Sequence, residues 1–404
     1  MNEFAAQHPI LVVALPKIVV LLFVLLTALA YLTWFERKVV AHIQARWGPY
    51  RVGPHGLLQP LADGLKFLFK EDPTPMGADK FVYFLAPFLA LSLAITSIAV
   101  IPFGPKEFTV FGQSTPLAIT NLNIGLLILF AITSMGVYGV ALAGWSSNSK
   151  YSLLGGLRSS AQMVSYELAL TMSVVGVVLM AGTFNLSEIV LSQQGFHWGF
   201  LPRWNLIPQV LGFFLFFIAA VAETNRAPFD LAEAEQELVG GFHTEYASFK
   251  FAMFFMAEYS SMITVSCLAT ILFFGGWLSP FPQTAAWTWT HYIPAAAFAL
   301  AGLALIIHGL RYLTILGKIV LPALGLVLCA LGGLFARPGV PEFVQGPFWF
   351  LLKIAIFLFV YVWVRGTLPR FRYDQLMSFG WKLLLPLSIL NVVITSLAIV
   401  WTQR

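Results

Sequence analysis

The residues of this sequence best suited to chemistry are carboxylates, and they cluster. Between Ala227 and Phe249 stand Asp230, Glu233, Glu235, Glu237 and Glu245 with no Lys or Arg among them, and Glu223 and Arg226 lie just before. Asp230 and Glu233 have capping-box spacing, and Gly240-Gly241 would end the short helix they open. Glu233 and Glu237, four apart, share one face of that helix, where like charges repel. At roughly 6 Å this repulsion is about 0.7 kcal/mol in water but about 2.8 kcal/mol at an effective dielectric near 20. Buried, such a cluster would share protons near neutral pH; fully solvated, it would be an ordinary acidic helix.

Two further carboxylates favour burial. Glu167 and Glu258 fall inside long apolar runs, where an ionisable group is a functional candidate by default. Glu167 is nine residues past Arg158 and Glu258 eight past Lys250, so at about 1.5 Å per residue both lie about 12 to 14 Å in from the same edge. Together with the acidic loop they form a plausible chain of protonatable sites; the plainer alternative is that each is a single structural hydrogen-bonding acid. His243 and His308 have no partners at metal-ligand spacing and are read as structural. Lys353, five residues into a run, is read as reaching back to the interface. The two cysteines, Cys267 and Cys329, sit far apart in apolar runs, so no cysteine-bound redox centre or metal site is expected. No phosphate-cradling glycine motif or nucleophile elbow is present.

The elements that must position these acids are set by hydropathy. Hydrophobic residues make up 59% of the 404 and charged residues only 10%, against about a quarter in soluble domains. Apolar runs long enough, or nearly so, for a bilayer helix of about 20 residues occur at 11–35, 81–101, 122–143, 161–181, 206–222, 251–274, 293–310, 319–335, 348–364 and 383–400. The expected fold is therefore an all-α polytopic transmembrane bundle of about ten spans in a single membrane domain, 1–404. The first run lacks a small-residue cleavage site and is read as a retained span. Segments 36–80, 144–160, 223–250, 311–318 and 365–382 fall on one face and carry 17 of the 23 Lys and Arg. By the positive-inside bias that face is cytoplasmic and both termini are outside. The formal charge of +5 then reflects these loops and not nucleic-acid binding.

In the first inner loop Leu57, Leu58, Leu61, Leu65, Leu68 and Phe69 share one helical face, and Gln59, Asp63, Lys66 and Lys70 the other. That pattern predicts an amphipathic helix on the membrane surface, either an anchor or one wall of an opening for a lipid-soluble molecule. The preceding Arg46-Trp47-Gly48-Pro49-Tyr50-Arg51-Val52-Gly53-Pro54 suits a rigid non-helical loop, which at membrane depth must be buried or line a cavity.

These residues resemble a known family, the quinone-site membrane subunit of respiratory complex I, the proton-pumping NADH:quinone oxidoreductase. The resemblance rests on Glu36-Arg37-Lys38, the 46–70 loop with its Gly-Pro pairs, Ser165-Tyr166-Glu167, the acidic loop at 222–246, and Arg365-Gly-Thr-Leu-Pro-Arg-Phe-Arg-Tyr-Asp-Gln-Leu-Met-Ser-Phe-Gly-Trp-Lys382. It covers most of 10–282 and 343–400. It implies a chain in the bacterial inner membrane that walls part of a quinone chamber, with quinone as substrate. Flavin and iron–sulfur clusters are expected on peripheral-arm subunits, and further membrane subunits and lipid as partners. Carried over, Glu36, Arg37, Arg46 and Arg226 are chamber or junction residues. Glu167, Glu223, Asp230, Glu233, Glu235, Glu237, Glu245 and Glu258 are the proton or charge-relay path. The family usually has about eight spans, so 283–341 is an apparent two-helix insert, expected to be a peripheral, lipid-facing hairpin. A related membrane-bound hydrogenase-type complex and a stand-alone ion transporter are the alternative readings.

Overall fold

The computed structural model describes residues 14–105, 108–110, 113–197, 199–230, 240–282, 285–312, 314–337 and 340–402. Its helices in chain order are α1 (Leu15–Ile43), α2 (Gln59–Phe69), α3 (Lys80–Ile98), α4 (Gly125–Ser146), α5 (Lys150–Ala181), α6 (Leu186–Ser192), α7 (Val210–Glu223), α8 (Ser248–Phe273), α9 (Ile293–Leu310), α10 (Ile315–Phe335), α11 (Val340–Thr367), α12 (Tyr373–Phe379) and α13 (Leu385–Thr402). Short 3-10 helices at Pro54–Gly56, Gly241–His243 and Ala285–Tyr292, a π-helical turn at Gly380–Leu384 and two small antiparallel ribbons, Phe108–Val110 with Gln113–Thr115 and Phe196–His197 with Leu201–Pro202, complete the described secondary structure. Nine helices among the described residues are long and apolar enough to cross a membrane, and α7 is a shorter apolar helix. The protein is an all-α polytopic membrane bundle.

The helix α8 stands at the centre: 72% of its apolar window is buried, against 17 to 39% for the other eight spans. Its hydroxyls add no unmet polarity, because Ser266 Oγ and Thr270 Oγ1 donate to the carbonyls of Met262 and Ser266 one turn back. The main hydrophobic core gathers Leu25 and Leu29 of α1, Tyr166 and Leu170 of α5, Phe216 and Ala219 of α7, and Phe350 and Tyr361 of α11 around α8.

Helix α7 has 14 residues, about 21 Å of rise, less than the roughly 30 Å hydrocarbon thickness. The chain ahead of it is irregular, which inside a membrane requires protein partners for the backbone. Gln193 and Asn205 provide them. Gln193 Nε2 donates to Ile271 O (2.8 Å), its Oε1 accepts from the Asn205 and Gly275 amides (3.1 and 3.0 Å), and Asn205 Nδ2 donates to Leu272 O (3.0 Å). Lys353 completes the same seam. It is buried rather than reaching an interface, and its Nζ donates to the carbonyls of Phe274, Gly276 and Leu278 at 2.7 to 2.9 Å. The expectation from its position near a span end is thus corrected: three carbonyls past the end of α8 offer a nearer charge-compatible site than the headgroups.

Helix α1 runs on to Ile43, eight residues beyond the apolar run, so Glu36-Arg37-Lys38 is helical. Likewise α5 begins at Lys150, which reduces the second inner loop to 147–149. Helix α2 has no buried residue and exposes Leu61, Leu65, Leu68 and Phe69, as an amphipathic surface helix should. Helices α9 and α10 form a hairpin whose glycines are the contact: a Cβ on Gly302 would lie 2.5 Å from Gly325 O, and one on Gly332 2.9 Å from Ala295 O. Small residues at such crossings let backbones approach closely.

Candidate functional site

Glu36, near the end of α1, is 4% exposed and is the node of the site. Arg226 Nη1 donates to its Oε1 at 3.1 Å, Tyr259 Oη donates to its Oε2 at 2.6 Å, and Arg365 of α11 forms a third contact, an ion pair with Oε1. A carboxylate in so dry a position persists only with such partners. Arg226, 5% exposed, also reaches the other way: its Nε lies 2.5 Å from Oε1 of Glu258 on α8. Its guanidinium sits over the Tyr259 ring, 4.3 Å from the centroid. One planar cation therefore spans two carboxylates through different nitrogens, a geometry that Lys cannot reproduce.

The backbone around Arg226 is held by polar side chains from α5. Gln162 Nε2 donates to the carbonyls of Ala222 and Phe229 at 2.9 and 2.8 Å, and Asn225 Nδ2 donates to Ser159 Oγ at 3.0 Å. Asn225 has φ 48°, a left-handed conformation that Asn tolerates better than most residues. The loop after α11 seals the other side: Phe371 N donates to Pro228 O, the Phe229 and Phe371 rings stack at 5.5 Å, and Arg370 pairs with Asp230 at 3.1 Å. The acidic and final basic loops are thus in contact.

On one side of Glu36 lies an open concavity of about 640 Å³ lined by Glu36, Arg37, Arg46, Gly48, Pro49 and Arg365. Arg37 pairs with Asp63 of α2 at 2.7 Å, which ties the surface helix to this rim. On the far side of Arg226 lies a narrower cavity of about 150 Å³, bounded by α3, α4, α5, α7 and α8, with Thr133, Glu223, Thr224, Asn225, His243, Glu258 and Ser261 as its polar lining. That volume is large enough for several waters. Asn225 Oδ1 is buried without a protein hydrogen-bond partner among the described residues, a situation that ordered water resolves. Glu223 is within electrostatic range of Glu167, and Glu167 accepts a short hydrogen bond from Ser134 of α4.

His243 is placed by a close backbone approach. A Cβ on Gly155 of α5 would lie 2.6 Å from the backbone of Gly241, and Ser152 Oγ donates to Phe242 O at 2.9 Å. Burial in this turn holds the His243 imidazole down at about 4, so it is neutral at physiological pH.

The four expected chamber residues thus meet: Glu36, Arg37 and Arg46 line one concavity and Arg226 backs it. Of the expected path, Glu223 and Glu258 share a cavity, Glu167 adjoins Glu223, and Asp230 is within electrostatic range of Glu258. The Glu245 side chain does not line that cavity; its carbonyl accepts from Tyr83 Oη at 2.7 Å. Glu233, Glu235 and Glu237, and the short helix expected there, lie outside the described residues. Sequence reasoning missed Arg365, Tyr259 and His243 as site residues. A count of charges would have raised the first, because a carboxylate inside a span requires a cation, and Arg365 closes the one long run that ends beside the basic loop.

The family described as "NADH dehydrogenase" matches residues 16–396. The chain is similar to one of the H-type membrane subunits of NADH-quinone oxidoreductase from Solibacter usitatus, 52% identical over 97% of this chain and 98% of that one. It is also similar to an H-type counterpart from Koribacter versatilis, 52% identical over 96% and 97%, and to that of Thermomicrobium roseum, 45% identical over 95% and 94%.

Proposed function

The chain belongs to the family of H-type membrane subunits of NADH-quinone oxidoreductase, and from that premise we propose that it walls part of the quinone chamber and carries the acidic path that couples quinone reduction to proton translocation. As a membrane subunit of complex I it has other subunits of that complex as partners. Electrons reach the quinone from clusters on those partners; this chain binds the quinone and handles charge.

The observation that carries this reading is the double engagement of Arg226, which contacts Glu36 at the open concavity and Glu258 at the narrower cavity. A change of one unit charge in the concavity, about 10 Å away, is worth about 1.7 kcal/mol at an effective dielectric near 20. That alters a carboxylate's proton-binding constant by more than tenfold, about one pKa unit. The Glu36–Arg226–Glu258 arrangement transmits such a change without an electron passing through it, since any loss of negative charge at Glu36 frees Arg226 for Glu258. From there the hydrated cavity offers Glu223, and beyond it Glu167, as proton positions. Glu233, Glu235, Glu237 and Glu245 belong to the same proposal as its loop-borne mouth.

The concavity has the chemistry for a quinone headgroup: Arg37, Arg46 and Arg365 supply donors to carbonyl oxygens, and the exposed apolar face of α2 offers a lipid-side approach for the tail. The positive-inside bias puts this face in the cytoplasm, with both termini outside in a bacterial inner membrane. The test is proton pumping by the assembled complex carrying Glu167→Gln or Glu235→Gln. Pumping weakens with assembly intact if the path is as described; unchanged pumping in both variants contradicts it.

A further inference from the structure

The hairpin α9–α10 does more than face lipid. At its turn, His308 Nε2 lies 2.7 Å from Nε2 of His55, and the buried Tyr312 hydroxyl accepts from the His55 amide at 3.1 Å. The His55 ring also packs edge-on to Tyr312, centroids 4.9 Å apart, and Tyr50 lies 6.4 Å from the same tyrosine. From the other side Trp34 Nε1 of α1 donates to His55 O at 3.2 Å. His55 has φ 53° and is flanked by Gly53 and Gly56 at φ 74° and 76°. A left-handed histidine between two left-handed glycines is a conformation the chain does not hold unaided. These outside contacts hold it.

The loop so held has two faces. Gly48 and Pro49 line the concavity of Glu36, Arg46 and Arg365, and they also line a second open concavity of about 630 Å³ with Trp47, Tyr50, Arg51 and Gln59. The 47–56 loop is therefore shared between a concavity lined by Glu36, Arg46 and Arg365 and a more aromatic one lined by Trp47 and Tyr50. A quinone whose headgroup sits in the first must pass its isoprenoid tail along that loop.

We propose that the α9–α10 hairpin is a brace, with His308 and Tyr312 as positioning residues that fix the 47–56 loop and thereby set how the entrance accommodates long quinone tails. This rests on the chamber reading given above. The contact adds to the expectation of a peripheral, lipid-facing hairpin: its turn end is docked, because Tyr312 has the Gly317 backbone beneath it and the loop above it.

The experiment compares steady-state kinetics of the assembled complex in membranes, for wild type, His308→Ala, His308→Gln and Tyr312→Phe, with a long-tailed isoprenoid quinone and a short-tailed water-soluble one. Expected is a several-fold rise in KM for the long-tailed quinone in His308→Ala and Tyr312→Phe, with kcat and the short-tail KM within twofold of wild type. His308→Gln, which keeps a hydrogen-bonding group for His55, recovers part of the loss. Equal KM changes for both quinones, or none, overturn the brace. So does loss of assembly in both His308→Ala and Tyr312→Phe, since Tyr312→Phe removes one oxygen only and its failure would show a purely structural contact. Arg46→Ala separates the premises: if it alters KM for both quinones while the hairpin variants do not, only the brace fails; if it alters neither, the chamber reading fails.

Discussion

Replacing Arg226 by Met removes one cation from between two buried carboxylates, and the two are not left equally exposed to the loss. Glu36 keeps the Tyr259 hydroxyl and Arg365, whereas among the described residues the ion-pair partner of Glu258 is Arg226 itself. With charge centres about 4 Å apart and an effective dielectric near 20, each Arg226–carboxylate attraction is about 4 kcal/mol. Breaking a buried pair from one side costs about 3 to 5 kcal/mol because a charge is left uncompensated. Arg226→Met should therefore lower the temperature at which half of the assembled complex is lost from native gels of heated membranes. Adding Glu258→Gln removes the stranded charge and should restore most of that loss, a coupling of about 2 to 3 kcal/mol in the double-mutant cycle. The parallel cycle with Glu36→Gln should show a smaller coupling, because Glu36 has other partners. Arg226→Lys should retain much of the stability yet lose coupling of quinone reduction to pumping, since a single ammonium cannot meet both carboxylates. Strict additivity of Arg226→Met and Glu258→Gln would refute the bridging role.

Three other outcomes are expected from the same heating assay. His243 is held near 4 in the folded protein against about 6.5 when unfolded, so the unfolded state binds the extra proton; stability is complete above about pH 6.5 and falls by up to about 3 kcal/mol as pH drops towards 4. His243→Gln should flatten that part of the profile, and an unaltered profile would remove the assignment. Lys353→Met leaves three carbonyls without their donor and should cost about 3 kcal/mol or more, lowering the thermal midpoint with quinone KM unchanged; a shifted KM would mean that the seam reaches the site. Gly302→Val would drive a side chain into Gly325 O and Cys329 Sγ and should cost about 1 to 3 kcal/mol, whereas Gly333→Ala, with nothing within 4 Å, should be silent.

Most of the bundle was legible because burial in lipid imposes long apolar runs, and nine of ten expected spans are helices of spanning length. The exceptions have specific causes. Helix α1 continues through Glu36-Arg37-Lys38 because Glu36 is neutralised by Arg226 of the loop after α7 and by Arg365 at the end of α11, so a charged triplet does not mark a boundary. The fifth span is short because Gln193 and Asn205 satisfy broken backbone that hydropathy reads as apolar. Lys353 looked free to reach water, but unpaired carbonyls in the seam were invisible in one dimension.

The site was legible as a set of acids and not as a circuit. The resemblance sets Arg226 and Glu258 in separate groups, chamber and path, and across 32 positions no local rule pairs a loop cation with a span carboxylate. His55 and His308, 253 positions apart, are paired only through the docking of a hairpin on a loop. What sequence does carry is the cost of an isolated charge in a span, and the two span carboxylates so found have partners, Arg226 against Glu258 and the Ser134 hydroxyl against Glu167.

The most direct test of the account is the number of protons translocated per quinone reduced by the Glu258→Gln complex reconstituted into sealed vesicles. If Arg226 relays charge from the chamber to the cavity through Glu258, quinone reduction continues while the proton ratio falls below that of wild type. A ratio equal to wild type at matched quinone turnover would contradict it.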